Sequence, residues 1–312
     1  MHPFWSGKRV LVTGGGGFVG RAVVAALQRR GVAEADLVVP RSRECDLREL
    51  QQCRAMFRGC QVVVHLAAAT GNINFSRMHP ATQFRDCTLI NLNVFEAARL
   101  AGVARVVSVG NLLAYPADAT PPFREEQARQ GQVPESYMGI GLAKRQLLDL
   151  ADLYHREFAM SAVTVLGANA YGPYDHFDGV QAHVIPATIA KCFRDQDLVV
   201  WGDGTPTRDF LFVDDLAEGI LLAAETLEAT GLVNVSSGRE VAIADVVRLI
   251  ARLSGFTRPI VFDASRPGGD GRRVASAERA RALGFAPRVS LDDGLKRTID
   301  WYRHAVIQPA AR

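Results

Sequence analysis

The sequence predicts an α/β fold, a doubly wound parallel sheet with a smaller C-terminal lobe, on three observations. Short runs that are apolar throughout alternate with longer stretches of helical periodicity, a glycine-rich turn joins the first run to the first helix, and the alternation breaks down after about residue 168. Strands apolar on both faces need cover on both faces, which helices on either side of a parallel sheet provide.

Taken in order, residues 9–13 (RVLVT) form the first strand and 20–30 a helix ended by Gly31. Residues 35–39 and 61–66 (QVVVHL) are the next strands, followed by a helix over 81–101, a strand over 104–109 (ARVVSV), a helix over 142–158 and a strand over 161–166 (SAVTVL). Beyond these, 171–178 (YGPYDHFD) is loop-like, 184–194 helical, 199–208 (VVWGDGTPTR) sharply turned, 213–225 helical, and 265–273 (SRPGGDGRR) a mobile loop. The division expected is a cofactor sheet over 1–168, to which about 209–236 returns, and a second lobe built mainly from 169–312.

Composition narrows the function. The 312 residues include 36 Lys+Arg against 33 Asp+Glu, a net charge of +3, with 48% hydrophobic and 22% charged residues, which supports a substantial core and excludes a disordered or fibrous chain. The positive charge is dispersed, so no nucleic-acid partner is expected. Five cysteines (Cys45, Cys53, Cys60, Cys87, Cys192) have neither disulfide-framework nor metal-site spacing, pointing to reduced thiols in a cytoplasmic protein without a metal. The longest uncharged stretch, 159–174, is broken by Gly167, Asn169, Gly172 and Pro173, so no membrane segment is expected.

The clearest site is residues 13–20 (TGGGGFVG). Gly14, Gly17 and Gly20 have the spacing of a Rossmann dinucleotide turn: a tight strand-to-helix reversal, room for a pyrophosphate against backbone, and close packing of helix on sheet. Amides around Phe18 and Val19, at the helix start, then face the phosphates. After the second strand the chain reads Arg41-Ser42-Arg43, with no acid for a ribose 2′-hydroxyl; two guanidiniums and a hydroxyl suit a 2′-phosphate, so NADP(H) is expected, with NAD possible.

With these pieces placed, the chain resembles the extended short-chain dehydrogenase/reductases, the NAD-dependent epimerase/dehydratase group acting on nucleotide sugars. Within it the resemblance is to homodimeric epimerase/4-reductases of GDP-linked 4-keto-6-deoxyhexoses. The motifs are TGGGGFVG, HLAAAT at 65–70, NAYGP at 169–173, HVIP at 183–186 and WGDGTPTRDFLFVDD at 201–215. The resemblance implies that Asp46 and Leu47 border the adenine, that Ala67, Ala68 and Ala69 line the cofactor groove, and that Lys144 binds the nicotinamide ribose. It also implies that Asn169, Trp201 and Arg208 hold the substrate and that His183 is an acid/base in epimerisation. Lys144 is one of only four lysines, with Lys8, Lys191 and Lys296.

The pattern breaks at three chemical groups. The family's tyrosine, four residues before the lysine, is Ile140; its Ser/Thr is Asn111; the cysteine that partners the histidine is Leu113. Asn111 still donates a hydrogen bond, but Ile140 and Leu113 exchange no proton. Tyr137 is a candidate displaced acid if it lies in the loop entering the helix, with Gly139 and Gly141 relaxing the backbone; Tyr115 and Tyr171 are further candidates. Glu125 and Glu126 are expected to be solvated, and Asp214 and Asp215 to favour a helix start. The alternative to an enzyme is a catalytically silent cofactor-binding protein of the same fold.

Overall fold

The computed structural model describes residues 2–71, 73–178, 182–194, 197–266 and 271–308. Its first five strands are β1 (Val10–Thr13), β2 (Leu37–Val38), β3 (Val62–His65), β4 (Arg105–Asn111) and β5 (Ala162–Gly167). Between and after them run helices α1 (Phe18–Arg29), α2 (Leu50–Phe57), α3 (Ile73–Met78), α4 (Pro80–Leu100) and α5 (Met138–Phe158). The remainder comprises β6 (Asn169–Tyr171), α6 (Val184–Arg194), β7 (Leu198–Trp201), β8 (Thr207–Arg208), β9 (Phe210–Phe212) and α7 (Val213–Thr226). Then follow β10 (Leu232–Val235), β11 (Val241–Ala242), α8 (Ile243–Ser254), β12 (Ile260–Asp263), β13 (Arg272–Arg273), α9 (Glu278–Ala282) and α10 (Leu291–Tyr302).

Six parallel strands form one sheet in the order β10-β5-β4-β3-β1-β2, with the strand order reversing beside β1. Strands β1, β3 and β5 are buried along their whole length, as their unbroken apolar runs require. Helices α1 and α7 cover one face through Val23, Leu27, Leu216 and Ile220; α2, α4 and α5 cover the other through Phe57, Phe95 and Leu147. A third apolar core, around Ile185, Val246, Ile250 and Tyr302, joins α6, α8 and α10 beyond the C-terminal ends of the strands. β8 pairs with β11 and β13 in a small sheet of its own at the mouth of the cleft.

Some local expectations are revised. Residues 35 and 36 of the expected second strand (35–39) belong to a 3-10 turn over 34–36, leaving a two-residue edge strand. Helix α5 starts at Met138, four residues early, and includes Gly139 and Gly141. These glycines do not relax a loop: a Cβ on Gly139 would stand 2.3 Å from the Pro80 carbonyl oxygen and one on Gly141 2.8 Å from that of Leu113. They let α5 press on the start of α4 and on the chain after β4. Glu125 is buried, not solvated, and accepts the Asn234 amide at 2.8 Å. Arg272 and Arg273, expected in a mobile loop, form β13; residues 267–270 of that loop lie outside the described residues.

The phosphate loop tolerates no side chain at its third glycine. A Cβ on Gly20 would fall 2.1 Å from the Gly14 carbonyl oxygen and 2.5 Å from the Gly15 Cα, both backbone atoms that cannot swing aside. Gly20→Ala is therefore expected to lower stability by about 1–3 kcal/mol in urea unfolding and to weaken NADPH binding, read by fluorescence titration, more than tenfold; an unchanged affinity would refute this account of the loop.

Candidate active site

The ends of β1, β3, β4 and β5 open into a cleft of about 790 Å³ lined by Gly14, Gly17–Gly20, Ala67, Asn111, Tyr137, Ile140, Lys144 and, on the facing wall, Asn169, Asp175, His183, Trp201 and Arg208. A second cavity of about 490 Å³ continues past the phosphate loop, lined by Arg41, Ser42, Cys45, Asp46, Leu47, Arg48 and the Ala67–Ala69 backbone edge. Gly14 adopts φ +69°, and α1 begins at Phe18 with Gly17 as its cap. The Arg41 guanidinium lies across the loop, 3.0 Å from where a Gly16 Cβ would be. This glycine cradle with its arginine fits a phosphorylated dinucleotide. Arg43 stands apart: its side chain is 84% exposed, 3.6 Å from Glu44, outside both linings. Arg48, which the sequence reading did not single out, grips Asp46 with Nε and Nη2 (3.0 and 2.7 Å) and neutralises one of the two acids that line this cavity.

Below the loop runs a chain of buried polar groups. Thr13 Oγ1 accepts the Leu66 and Ala67 amides (3.2 and 3.3 Å) and lies 2.8 Å from His65 Nδ1; His65 Nε2 lies 3.1 Å from Asn91 Oδ1. Asn91 Nδ2 donates to the Ala143 carbonyl (2.9 Å) and to Gln146 (3.2 Å). Since the Asn91 amide group donates, its oxygen accepts, so His65 carries its proton on Nε2 and takes that of Thr13 on Nδ1. Burial, with the Lys144 charge second, pushes His65 down to about 4.

Next to Ala143, Lys144 is buried and its ammonium donates to the Val109 carbonyl at 2.9 Å; burial lowers its pKa. Ile140 is buried against Cys87 and Ala143, with Tyr137 and Leu113 at the margin, so hydrocarbon stands where the sequence spacing would expect a tyrosine. Tyr137 caps α5 after a 3-10 turn and lines the cleft, seven residues before Lys144, roughly 10 Å along the helix axis. Of the other tyrosines, Tyr115 is buried outside the cleft lining and donates to Asn234 Oδ1 at 2.7 Å, and the Tyr171 hydroxyl turns to the Leu291 carbonyl at 3.4 Å. Asn111 Oδ1 accepts the Leu113 amide at 3.1 Å, which leaves its NH2 to meet a ligand carbonyl.

On the facing wall, buried Asp209 accepts the Ser237 and Gly238 amides (3.0 and 3.2 Å) and its backbone carbonyl receives Asn169 Nδ2 at 3.1 Å, fixing Asn169 and the neighbouring Arg208. Arg208 Nη1 donates to the Thr207 and Gly271 carbonyls (2.7 and 2.8 Å). Trp201 is 42% exposed under the Arg266 guanidinium, 5.0 Å from its ring. His183 is open to the cleft but enclosed by protein elsewhere; this surround and nearby His176 hold its imidazole below the ordinary 6.5. Asp214 and Asp215 lie in the first turn of α7, where Asp215 accepts the Arg288 and Val289 amides.

Sheet and site together define a dinucleotide-binding protein of the extended short-chain type. Residues 10–236 match the NAD dependent epimerase/dehydratase family, and the chain belongs to that family. It is 31% identical over 313 residues to the GDP-L-fucose synthase of Escherichia coli (strain K12), covering 95% of this chain and 97% of that protein. A putative GDP-L-fucose synthase 2 of Arabidopsis thaliana is 32% identical over 307 residues, covering 96% and 93%. Among solved structures, a GDP-L-fucose synthetase from Naegleria fowleri bound to NADP aligns with a TM-score of 0.87 at 25% identity, over 96% of this chain and 94% of that one. A GDP-6-OMe-4-keto-L-xylo-heptose reductase from C. jejuni shares the fold, with a TM-score of 0.89 at 23% identity over 96% and 98%.

Folding lowers the His65 pKa from 6.5 to about 4, so as pH falls below 6.5 the unfolded chain takes up this proton first. Stability is lost from there down to about pH 4 and not further. Between pH 7 and pH 5 the group should cost about 2 kcal/mol of unfolding free energy, and the His65 ring nitrogens should keep their neutral, Nε2-protonated NMR shifts down to pH 5. A His65 resonance titrating near 6.5 would sink the tautomer assignment.

Proposed function

We propose that the chain is an NADP(H)-dependent enzyme of nucleotide-sugar metabolism that remodels a GDP-linked 4-keto-6-deoxyhexose or a close analogue, by epimerisation, 4-keto reduction or both. The observation that carries this reading is the single cleft with a cofactor wall and a sugar-nucleotide wall, in a chain about 30% identical to GDP-L-fucose synthases over nearly its whole length. A silent cofactor binder needs only the first wall.

NADP(H) would lie with its pyrophosphate on Gly14, Gly17 and Gly20 and its 2′-phosphate by Arg41 and Ser42, and when bound it supplies hydride exchange with the sugar. The chain's own residues do the rest. Asn111 donates to the sugar carbonyl, with the Lys144 side chain behind it, so negative charge growing on that oxygen is stabilised. Arg208 meets the diphosphate, Trp201 and Asn169 the rest of the nucleotide sugar, and His183, neutral at pH 7, exchanges a proton beside the ketone. The sheet and its return at 209–236 serve the cofactor, and most of 169–312 serves the sugar nucleotide.

We further infer a cytoplasmic homodimer. The five cysteines are free and buried, and no helix among the described residues is long and apolar enough to cross a membrane. Leu89 and Leu92 on α4 and Leu142, Leu153 and Phe158 on α5 are 38–58% exposed, an apolar face that a second copy would cover. Light scattering should give about twice the chain mass of 33.9 kDa, and Leu153→Glu should shift the protein toward monomer; a monomeric wild type overturns this.

Incubation with GDP-4-keto-6-deoxymannose in heavy water tests the activity. Deuterium in the sugar without loss of NADPH absorbance marks epimerisation, and NADPH consumption marks reduction. NADPH should also bind more tightly than NADH, and Arg41→Ala should remove most of that preference. Tight NADPH binding with no change in any 4-keto nucleotide sugar would overturn the proposal.

A further inference from the structure

The loop after β6 holds a carboxyl for which the mechanism above has no use. Tyr174 turns the chain there at φ +67°; among the described residues only Ala159, at a helix end, is another non-glycine with positive φ. The Tyr174 ring stays outside, 51% exposed, with its centroid 4.9 Å from that of Trp301 and 4.9 Å from the Arg21 guanidinium carbon. The turn drops Asp175 inward, 8% exposed, into the lining of the main cleft. Its Oδ1 accepts the His176 amide at 2.7 Å, whereas Oδ2 is fully buried and has no hydrogen-bond partner among the described residues. None of the described Arg or Lys side chains forms an ion pair with it.

A fully buried, half-satisfied carboxylate is expensive to keep charged; the neutral acid costs far less. Backbone strain beside such a group is found where surrounding structure holds a residue for a task. The task open here is proton exchange, since Ile140 and Leu113 bring hydrocarbon to the opposite wall and Tyr137 stands at the edge of that cluster, about two helical turns before Lys144. His183, also lining the cleft, lies at the other end of the same loop, with His176 near enough to act on its charge.

We propose that Asp175 and His183 are the two acid/base groups that move protons at the carbon beside the sugar ketone, an assignment that rests on the nucleotide-sugar reading above. One group takes the proton from that carbon. The C–H electron pair becomes the carbon–carbon double bond of an enediolate, while the carbonyl π pair moves onto the oxygen faced by Asn111 and Lys144. The other group returns a proton to the same carbon, and the double-bond pair forms the new C–H bond. No electrons leave the sugar, and no co-reactant is consumed. Burial pushes Asp175 up to about 7 and His183 below 6.5, so near neutral pH protonated Asp175 and neutral His183 coexist as acid and base; the roles reverse for the return reaction.

The test uses the full chain loaded with NADP+ and GDP-4-keto-6-deoxymannose in heavy water, with deuterium uptake followed by mass spectrometry. Asp175→Asn keeps the shape but carries no exchangeable acid, and its uptake should fall roughly 100-fold. GDP and NADPH affinities should change less than threefold, and the melting temperature should hold or rise. Should the Asn variant fail to fold, Asp175→Ser serves the same comparison. Uptake in wild type and undiminished uptake in the folded variant overturn the assignment alone; no uptake in wild type overturns the nucleotide-sugar epimerisation reading and the assignment with it.

Discussion

A neutral histidine holds the cofactor half of the cleft in register. His65 receives the Thr13 proton on one nitrogen and gives its own to Asn91 through the other, and Asn91 reaches across to the Ala143 carbonyl. Four separate segments, the end of β1, the end of β3, the middle of α4 and the second turn of α5, are thereby tied by hydrogen bonds with no water needed. Each buried member left without its partner would cost about 1–3 kcal/mol, so the groups are far more stable together than any pairwise count suggests. Protonating His65 would add an N–H on Nδ1, where Thr13 now donates, and a charge near Lys144; burial and that charge hold it neutral. The dependence reaches the chemistry: Lys144 follows Ala143, so its place beside Val109 is set by the same chain.

The sheet was readable from residue type because it obeys a rule that acts locally. Central parallel strands are buried on both faces, so Val10–Thr13, Val62–His65 and Ala162–Gly167 are written as uninterrupted apolar runs, and the glycines between β1 and α1 announce the turn. Where the deciding contact is distant in sequence, residue type misled. Gly139 and Gly141 look like loop residues, but their value is the close approach of Pro80 and Leu113, some 60 and 30 positions away. Glu125 looks like a solvated acid after two prolines, yet the backbone amide that it meets belongs to Asn234. Residues 35 and 36 run on into the strand that follows them, but Glu34-Ala35-Asp36 are poor strand formers at the sheet edge and coil into a 3-10 turn.

The same distinction runs through the site. The glycine loop, Lys144, Asn111, His183 and Arg208 sit in motifs whose order in the chain is itself informative, and the structure gathers them around one cleft. His65, Asn91 and Arg48 escaped notice because their meaning is a partner: a histidine inside an apolar strand, an asparagine inside a long helix and an arginine in a polar loop are each unremarkable alone. Arg48 matters only because Asp46 is within its fork, and the resulting pair removes a bare negative charge from the cavity next to Arg41.

Replacing the tyrosine by Ile140 changes what Lys144 is for. With a phenol nearby, a buried ammonium lowers the phenol's pKa; here Ile140 packs against Cys87 and Ala143, with Tyr137 at the margin, and the Lys144 side chain turns to the Val109 carbonyl. Its amine lies in surroundings that screen charge poorly, a few residues from the Asn111 amide at the end of β4. On the proposed reading that wall would stabilise an oxyanion, with its tyrosine, Tyr137, set at the edge of the hydrocarbon. A reaction that both develops negative charge on oxygen and moves protons has further titratable groups to draw on across the cleft, where His183 and Asp175 line the facing wall. Separating the two duties across the cleft removes the need for one residue to be both proton source and neighbour of a cation, and the loss of the tyrosine becomes compatible with a working enzyme.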